Sequence, residues 1–276
     1  MTESLAVVRR SAQVSWAFLR LGVSTALKYP LGFATQQIGV IVPVLIYFFL
    51  AGFVDRDGPE VAGDYFTFVM VGLVGMQTLN AGLRALSSEI DQAVTRGWFE
   101  MILVEPVPWP LLPFAMSEWP IVNAMFAASV VSGVALLLGA AIVPSGIPIA
   151  LAVGLLGILV GLSIGTLAAG VKVLAKRGDP VLTFYSLSAL ILSGVYFPLD
   201  ALPEPLQALS TVFVHTYVIS GLRHALLPDG DSLSGPTAGE AVVVLSILAV
   251  VLVPLSLWVF SRSMEYGRRM GLLSGY

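Results

Sequence analysis

An all-α integral membrane protein is the fold class this sequence predicts, and three observations carry it. Of the 276 residues, 57% are hydrophobic and only 11% are Asp, Glu, Lys or Arg, against about 25% charge in an average soluble protein. The mean hydropathy is +0.91. The apolar residues fall in long uncharged runs and do not alternate, so helices are expected and a β-barrel is not. An ordinary soluble enzyme and a disordered chain are both excluded. The net charge of −3 gives no basic surface for nucleic acid. With no cysteine, disulfides, thiolate catalysis and cysteine-based metal sites are excluded as well.

The elements follow from runs long enough to cross a bilayer, which takes about 20 residues. Uncharged stretches cover 31–54, 65–83, 119–171, 180–199 and 241–261. The third is too long for one span, and Pro144-Ser145-Gly146-Ile147-Pro148 breaks it with turn chemistry. Six transmembrane helices are therefore expected, at about 31–54, 65–83, 119–143, 149–171, 180–197 and 241–261. They form one membrane domain over 31–261, between a cytoplasmic N-terminal segment (1–30) and a cytoplasmic tail (262–276). A further uncharged stretch, 205–222, holds Gln207, Ser210, Thr211, His215, Thr216 and Ser220 and follows Pro198, Pro203 and Pro205. It reads as a re-entrant or interfacial helical pair before the last span.

Lys and Arg set the orientation. With the N-terminus inside, 12 of the 14 basic residues are cytoplasmic, and only Arg56 and Arg223 fall outside. Both termini are thus expected in the cytoplasm. No signal-peptide pattern is visible. Trp16, Phe18, Leu19, Leu21 and Val23, set among Arg9, Arg10, Arg20 and Lys28, suit an amphipathic helix on the inner membrane surface.

Residues capable of chemistry are scarce. The six expected spans contain no Asp, Glu, Lys, Arg or His. Ion-coupled carriers, intramembrane proteases and lipid-head-group transferases need such groups at membrane depth. His215 and His224 are nine apart, which does not suit a helical metal pair. No phosphate-cradling glycine loop is present. Active transport by this chain would draw its energy from another subunit.

The segment 84–118 is the most informative charged stretch. On a helix beginning at Glu89, residues Glu89, Gln92, Arg96 and Glu100 share one face, with Ile90, Val94, Trp98 and Met101 opposite. Burying its charges at mid-membrane would cost roughly 10 kcal/mol, so a separate helix at the inner surface is expected. It is either a solvated interfacial helix or a docking element for a cytoplasmic partner. Pro106, Pro108, Pro110 and Pro113 are expected to end it. Glu118 is either interfacial or paired with Arg84. Gly157, Gly161 and Gly165 present one face for close helix approach, inside the monomer or in a dimer. Met70, Met76 and Asn80 in the second span, and Phe184 and Tyr185 in the fifth, either line a path for an amphiphile or pack against neighbours.

Taken together, the stretch SGVYFPLDALPEPLQALS from Ser193 to Ser210, followed by His215-Thr216-Tyr217 and Gly221-Leu222-Arg223, resembles the membrane subunit of type-2 ABC exporters, the type V exporter fold. The matching positions are Gly194, Phe197-Pro198, Leu202-Pro203, Tyr217 and Arg223. The family often has Pro where this chain has His215 or Thr216. Glu89, Gly97, Glu100 and Pro106 match the family's coupling-helix segment. The resemblance implies that Glu89, Arg96, Gly97 and Glu100 dock an ATPase. It implies that the second and fifth spans line the path, with Phe197, Pro198, Tyr217 and Arg223 in a cap at the exit. It implies two permease halves, identical or related, and two copies of an ABC ATPase subunit that binds ATP and Mg. No catalytic residue, cofactor or metal is then expected in this chain. Its partners would be that ATPase, the second permease half and membrane lipid. The cargo would be a drug-, lipid- or peptide-like amphiphile. A glycan exporter of the same superfamily, with Phe66, Phe68, Phe184 and Tyr185 as stacking surfaces, and a non-transport scaffold are the alternatives.

Overall fold

The computed structural model describes residues 2–57, 65–98, 101, 108–175 and 180–270. Every regular element among them is helical. The helices are α1 (Thr2–Lys28), α2 (Pro30–Asp57), α3 (Tyr65–Thr95), α4 (Leu112–Leu137), α5 (Ile147–Ala175), α6 (Pro180–Leu192), α7 (Glu204–Ser210), α8 (Val214–Leu226) and α9 (Ala238–Arg269). Five segments are long and apolar enough to cross a membrane: α2, α3, α4, α5 and α9, α4 and α5 each with the short 3-10 turn before it. The structure thus gives an all-α integral membrane protein.

The fifth expected span, 180–197, is shorter than foreseen. Helix α6 has 13 residues, about 20 Å at 1.5 Å per residue. It stops before Gly194, whose φ of +70° is left-handed backbone, open to glycine at little cost. The expected helix to residue 197 is replaced by a turn.

Helix α3 is the central element, with buried residues from Phe66 to Ala93. It interlocks with α5 along a glycine seam. A Cβ on Gly82 would fall on the Ile158 carbonyl, one on Gly165 on the Leu83 carbonyl, and one on Gly161 2.6 Å from the Leu79 oxygen. Gly157 accepts Val218 of α8. The glycine face therefore packs inside the monomer. Helix α9 lies along α5, with Gly170 against Phe260 and Ser263. The main core gathers Phe68, Leu79, Leu83, Val153, Val218 and Leu245. A second cluster, with Leu86, Ile90, Met116, Val173 and Phe260, holds the far end of α3.

On the other side, α1 packs on α4, where Trp119 leaves no room for a Cβ on Gly22. The Gln37 amide of α2 donates to Asn123 Oδ1 of α4 at 3.1 Å. Such amide pairs bind helices where water is scarce.

Two other expectations need correction. Glu89 does not begin a separate surface helix. Its segment continues α3, which runs unbroken to Thr95. No Pro or Gly interrupts residues 83–96, so charge ends the apolar run without ending the helix. The stop comes at Gly97 (φ +74°). There Trp98 N–H donates to Ala93 O and Gly97 N–H to Val94 O, the Schellman pattern. Pro106 lies outside the described residues, and the later prolines act differently from expectation. Pro110 and Pro113 sit in the first turns of the Trp109–Leu111 3-10 helix and of α4, where a missing N–H costs nothing. Helix α4 accordingly begins before Glu118, not after it.

Candidate functional site

A groove of about 760 Å³ runs along one face of α3. Leu73, Met76, Gln77, Asn80, Arg84, Ser88, Gln92 and Arg96 form that face, spaced by three and four residues as one helical stripe requires. The facing wall comes from Phe18 and Thr25 of α1, Gln36 and Val40 of α2, and Trp119 and Asn123 of α4. Leu190 of α6 and Tyr196 border one end, and Trp98 the other. Phe18 and Trp98 lie 6.3 Å apart between ring centres. The Asn80 Oδ1 is enclosed and has no hydrogen-bond partner. Apolar surface interrupted by a few amides suits a molecule with both apolar and polar parts.

The predicted path residues divide. Met76 and Asn80 line this groove. Met70 points elsewhere, buried beside Thr67, Val74 and Leu222 at a cavity of about 70 Å³. Phe184 is 74% exposed on α6, the level of a side chain facing lipid. Tyr185 stacks on Phe213 at 5.3 Å and meets His215 at 5.5 Å. Phe66 and Phe68 are buried in the core, so neither offers a glycan a stacking surface.

The predicted docking residues lie at the end of α3. Glu89 is half-buried and accepts from the Gln92 amide at 3.4 Å. Arg96 and Gly97 form the exposed turn that closes the helix. Glu100 lies outside the described residues. Asp91, on the same end, pairs with Lys172 of α5 at 2.7 Å. No ion pair joins Arg84 to Glu118 among the described residues.

Among the predicted cap residues, Arg223 is a buried cation. Arg223 of α8 donates from Nη1 to Gly194 O at 2.7 Å, from Nη2 to Val195 O at 2.6 Å and from Nε to Phe68 O at 3.2 Å. Its guanidinium lies 3.5 Å from the centre of the Phe68 ring. Gly72 leaves it room, since a Cβ there would lie 2.6 Å from Nη2. Phe197 and Pro198 are half-buried in the turn after α6, and Tyr217 is half-buried on α8. Where the family often has Pro, Thr216 Oγ1 donates to Ser210 O at 2.7 Å, tying α8 to α7. His215 is fully buried with neither ring nitrogen bonded, and burial pushes its pKa down to about 4.

Sequence reading missed the groove's α4 wall and Arg84 as a lining residue. Asn123, a lone amide inside an apolar run, was the available signal.

Long apolar helices enclosing a mixed groove, with charge gathered at one end of the central helix, define an integral membrane protein of the transporter type. The chain belongs to the ABC-2 type transporter family, whose model it matches over residues 13–227. It is 28% identical over 208 residues to the inner membrane transport permease YadH of Escherichia coli K12, covering 74% of this chain and 80% of that one. The YadH proteins of E. coli O157:H7 and Shigella flexneri match equally. The protein is thus a transport permease subunit, and family membership implies association with an ABC ATPase.

Proposed function

We propose that this permease is an exporter half that moves drug-, lipid- or peptide-like amphiphiles out across the cytoplasmic membrane. The groove along α3 carries the reading. From Leu73 to Arg96 it follows about 35 Å of helix at 1.5 Å per residue, comparable with the roughly 30 Å apolar core of a bilayer. Its amides give polar stations within an apolar lining.

In this reading both termini are cytoplasmic, and α6 with its following turn makes the fifth of six crossings. Two permease halves face each other, and two ATPase subunits hold the ATP and Mg. Glu89, Arg96, Gly97 and Glu100 seat the ATPase at the end of α3. Phe197, Pro198, Tyr217 and Arg223 belong to the cap over the exit. ATP-driven closure of the ATPases displaces the end of α3 and switches the groove between its inward and outward openings.

The test is purification from native membrane in gentle detergent, followed by uptake into inside-out vesicles. A stoichiometric ATPase is expected, depleted by Arg96→Ala and by Glu100→Ala, together with ATP-dependent accumulation of a fluorescent amphiphile. Full transport without any co-purifying ATPase would overturn the docking reading. An ATPase that co-purifies while no amphiphile accumulates would overturn the cargo reading.

A further inference from the structure

We propose that the groove selects anionic amphiphiles, with Arg84 receiving the acidic head group and the Leu73–Met76 stretch receiving the tail. This rests on the groove being the cargo path and adds the class of cargo. Arg84 lies 19 residues along α3 from Tyr65, about 29 Å at 1.5 Å per residue. That is the depth at which a bilayer's apolar core gives way to its head-group layer.

The charge at this point is uncompensated. Arg84 is exposed along the groove wall and makes no hydrogen bond or ion pair with any described residue. The other described charges lining the groove are Glu89 and Arg96, and these two lie within electrostatic reach of each other. Arg84 is left as the net positive site. Towards the start of α3 the lining turns to Ala81, Asn80, Gln77, Met76 and Leu73, with no charge.

A guanidinium presents a planar fork of donors that matches phosphate, sulfate or carboxylate oxygens two at a time. A head group held there places its chain along the uncharged part of the stripe. A cationic amphiphile meets like charge at the same point, and a neutral one forgoes the fork.

The test uses the permease–ATPase complex in phosphatidylcholine nanodiscs. The probes are a dansyl-labelled alkyl phosphate and the matching alkyl alcohol, read by energy transfer from tryptophan, of which Trp119 and Trp98 border the groove. The phosphate is expected to bind at least tenfold tighter than the alcohol. Arg84→Gln is expected to remove that preference by weakening phosphate binding at least tenfold more than alcohol binding, and Arg84→Lys to keep part of it. Arg262→Gln, on exposed α9 surface, is expected to change neither. Equal affinities of the wild-type complex for the two probes would overturn the inference without any variant being needed. So would a preference that survives in Arg84→Gln. ATP-driven export without head-group preference sinks only this inference. Head-group preference without ATP-driven movement sinks the exporter reading instead.

Discussion

Arg223 and Gly194 are joined by a 2.7 Å hydrogen bond across 29 residues of sequence, and that bond fixes how α8 meets the turn ending α6. Together with the bonds to Val195 and Phe68, it lets one side chain satisfy three carbonyls from two segments. A buried charge without an acidic partner is costly unless its donors are used. Here the carbonyl dipoles and the Phe68 ring supply the compensation.

Arg223→Ala is therefore expected to strip donors from three enclosed carbonyls and cost on the order of 4 kcal/mol. The thermal midpoint of the detergent-solubilised protein should fall by about 10 °C. Arg223→Lys keeps the charge but not the fork, and should recover less than half of that loss. A shift of under about 2 °C for the alanine variant would show that the three carbonyls find other donors.

The seam between α3 and α5 predicts a sharp contrast among glycines. Gly165→Ala forces a methyl onto the Leu83 carbonyl, and Gly161→Leu drives a larger group between the same helices. Overpacking of this kind costs about 1–3 kcal/mol, occasionally more. Gly39→Ala on α2 meets nothing within 4 Å and should be neutral or slightly stabilising through helix propensity. Folded yield and thermal midpoint, measured side by side, check the ordering. Equal behaviour at the two sites would contradict the seam.

The Asp91–Lys172 pair should matter little to stability. Asp91 is 62% exposed and Lys172 only 10%, so water screens half of the interaction. Asp91→Asn should cost under about 1 kcal/mol and lose most of that difference in high salt. A loss of several kcal/mol would mean that the pair is more enclosed in the assembled transporter.

His215 makes a pH prediction. Folded, it stays neutral down to about pH 4, whereas an unfolded chain protonates histidine near 6.5. Above pH 6.5 both forms are neutral and no penalty applies. Between 6.5 and 4 the unfolded state binds a proton that the folded state refuses, so stability falls on acidification, by up to about 3 kcal/mol. His215→Leu should lose less stability than the parent between pH 7.5 and 4.5. Parallel losses in both proteins would assign the acid sensitivity to other groups.

Much of this architecture can be read from composition. Lipid accepts only long uncharged runs with their backbone bonds closed, so α2, α5 and α9 follow the runs closely. Charge misled at two boundaries. Arg84 ended an apolar run but not a helix, and Glu118 began one inside α4. Helix ends are set by backbone chemistry, as Gly97 and the prolines near α4 show. The candidate site was legible in part. Spacing alone could not say that Met76 and Asn80 face the groove while Met70 faces the core, because that depends on which neighbour lies on which side of α3. Positive-inside counting placed Arg223 in an outer segment, and the resemblance put it in the cap. Its fork of carbonyls is a tertiary contact that no local pattern encodes.

The unbroken course of α3 makes it a lever. Its 31 residues form a rod of about 46 Å at 1.5 Å per residue. Helix α5 grips the rod at its middle, backbone against backbone at Gly82, Gly161 and Gly165. Phe68, on which Arg223 hangs, is at one end, and the Gly97 turn is at the other. Packed along its length as well, the rod moves as one piece. In the proposed exporter, force applied beside Gly97 would be carried along the rod to Phe68, coupling the two mouths of the groove.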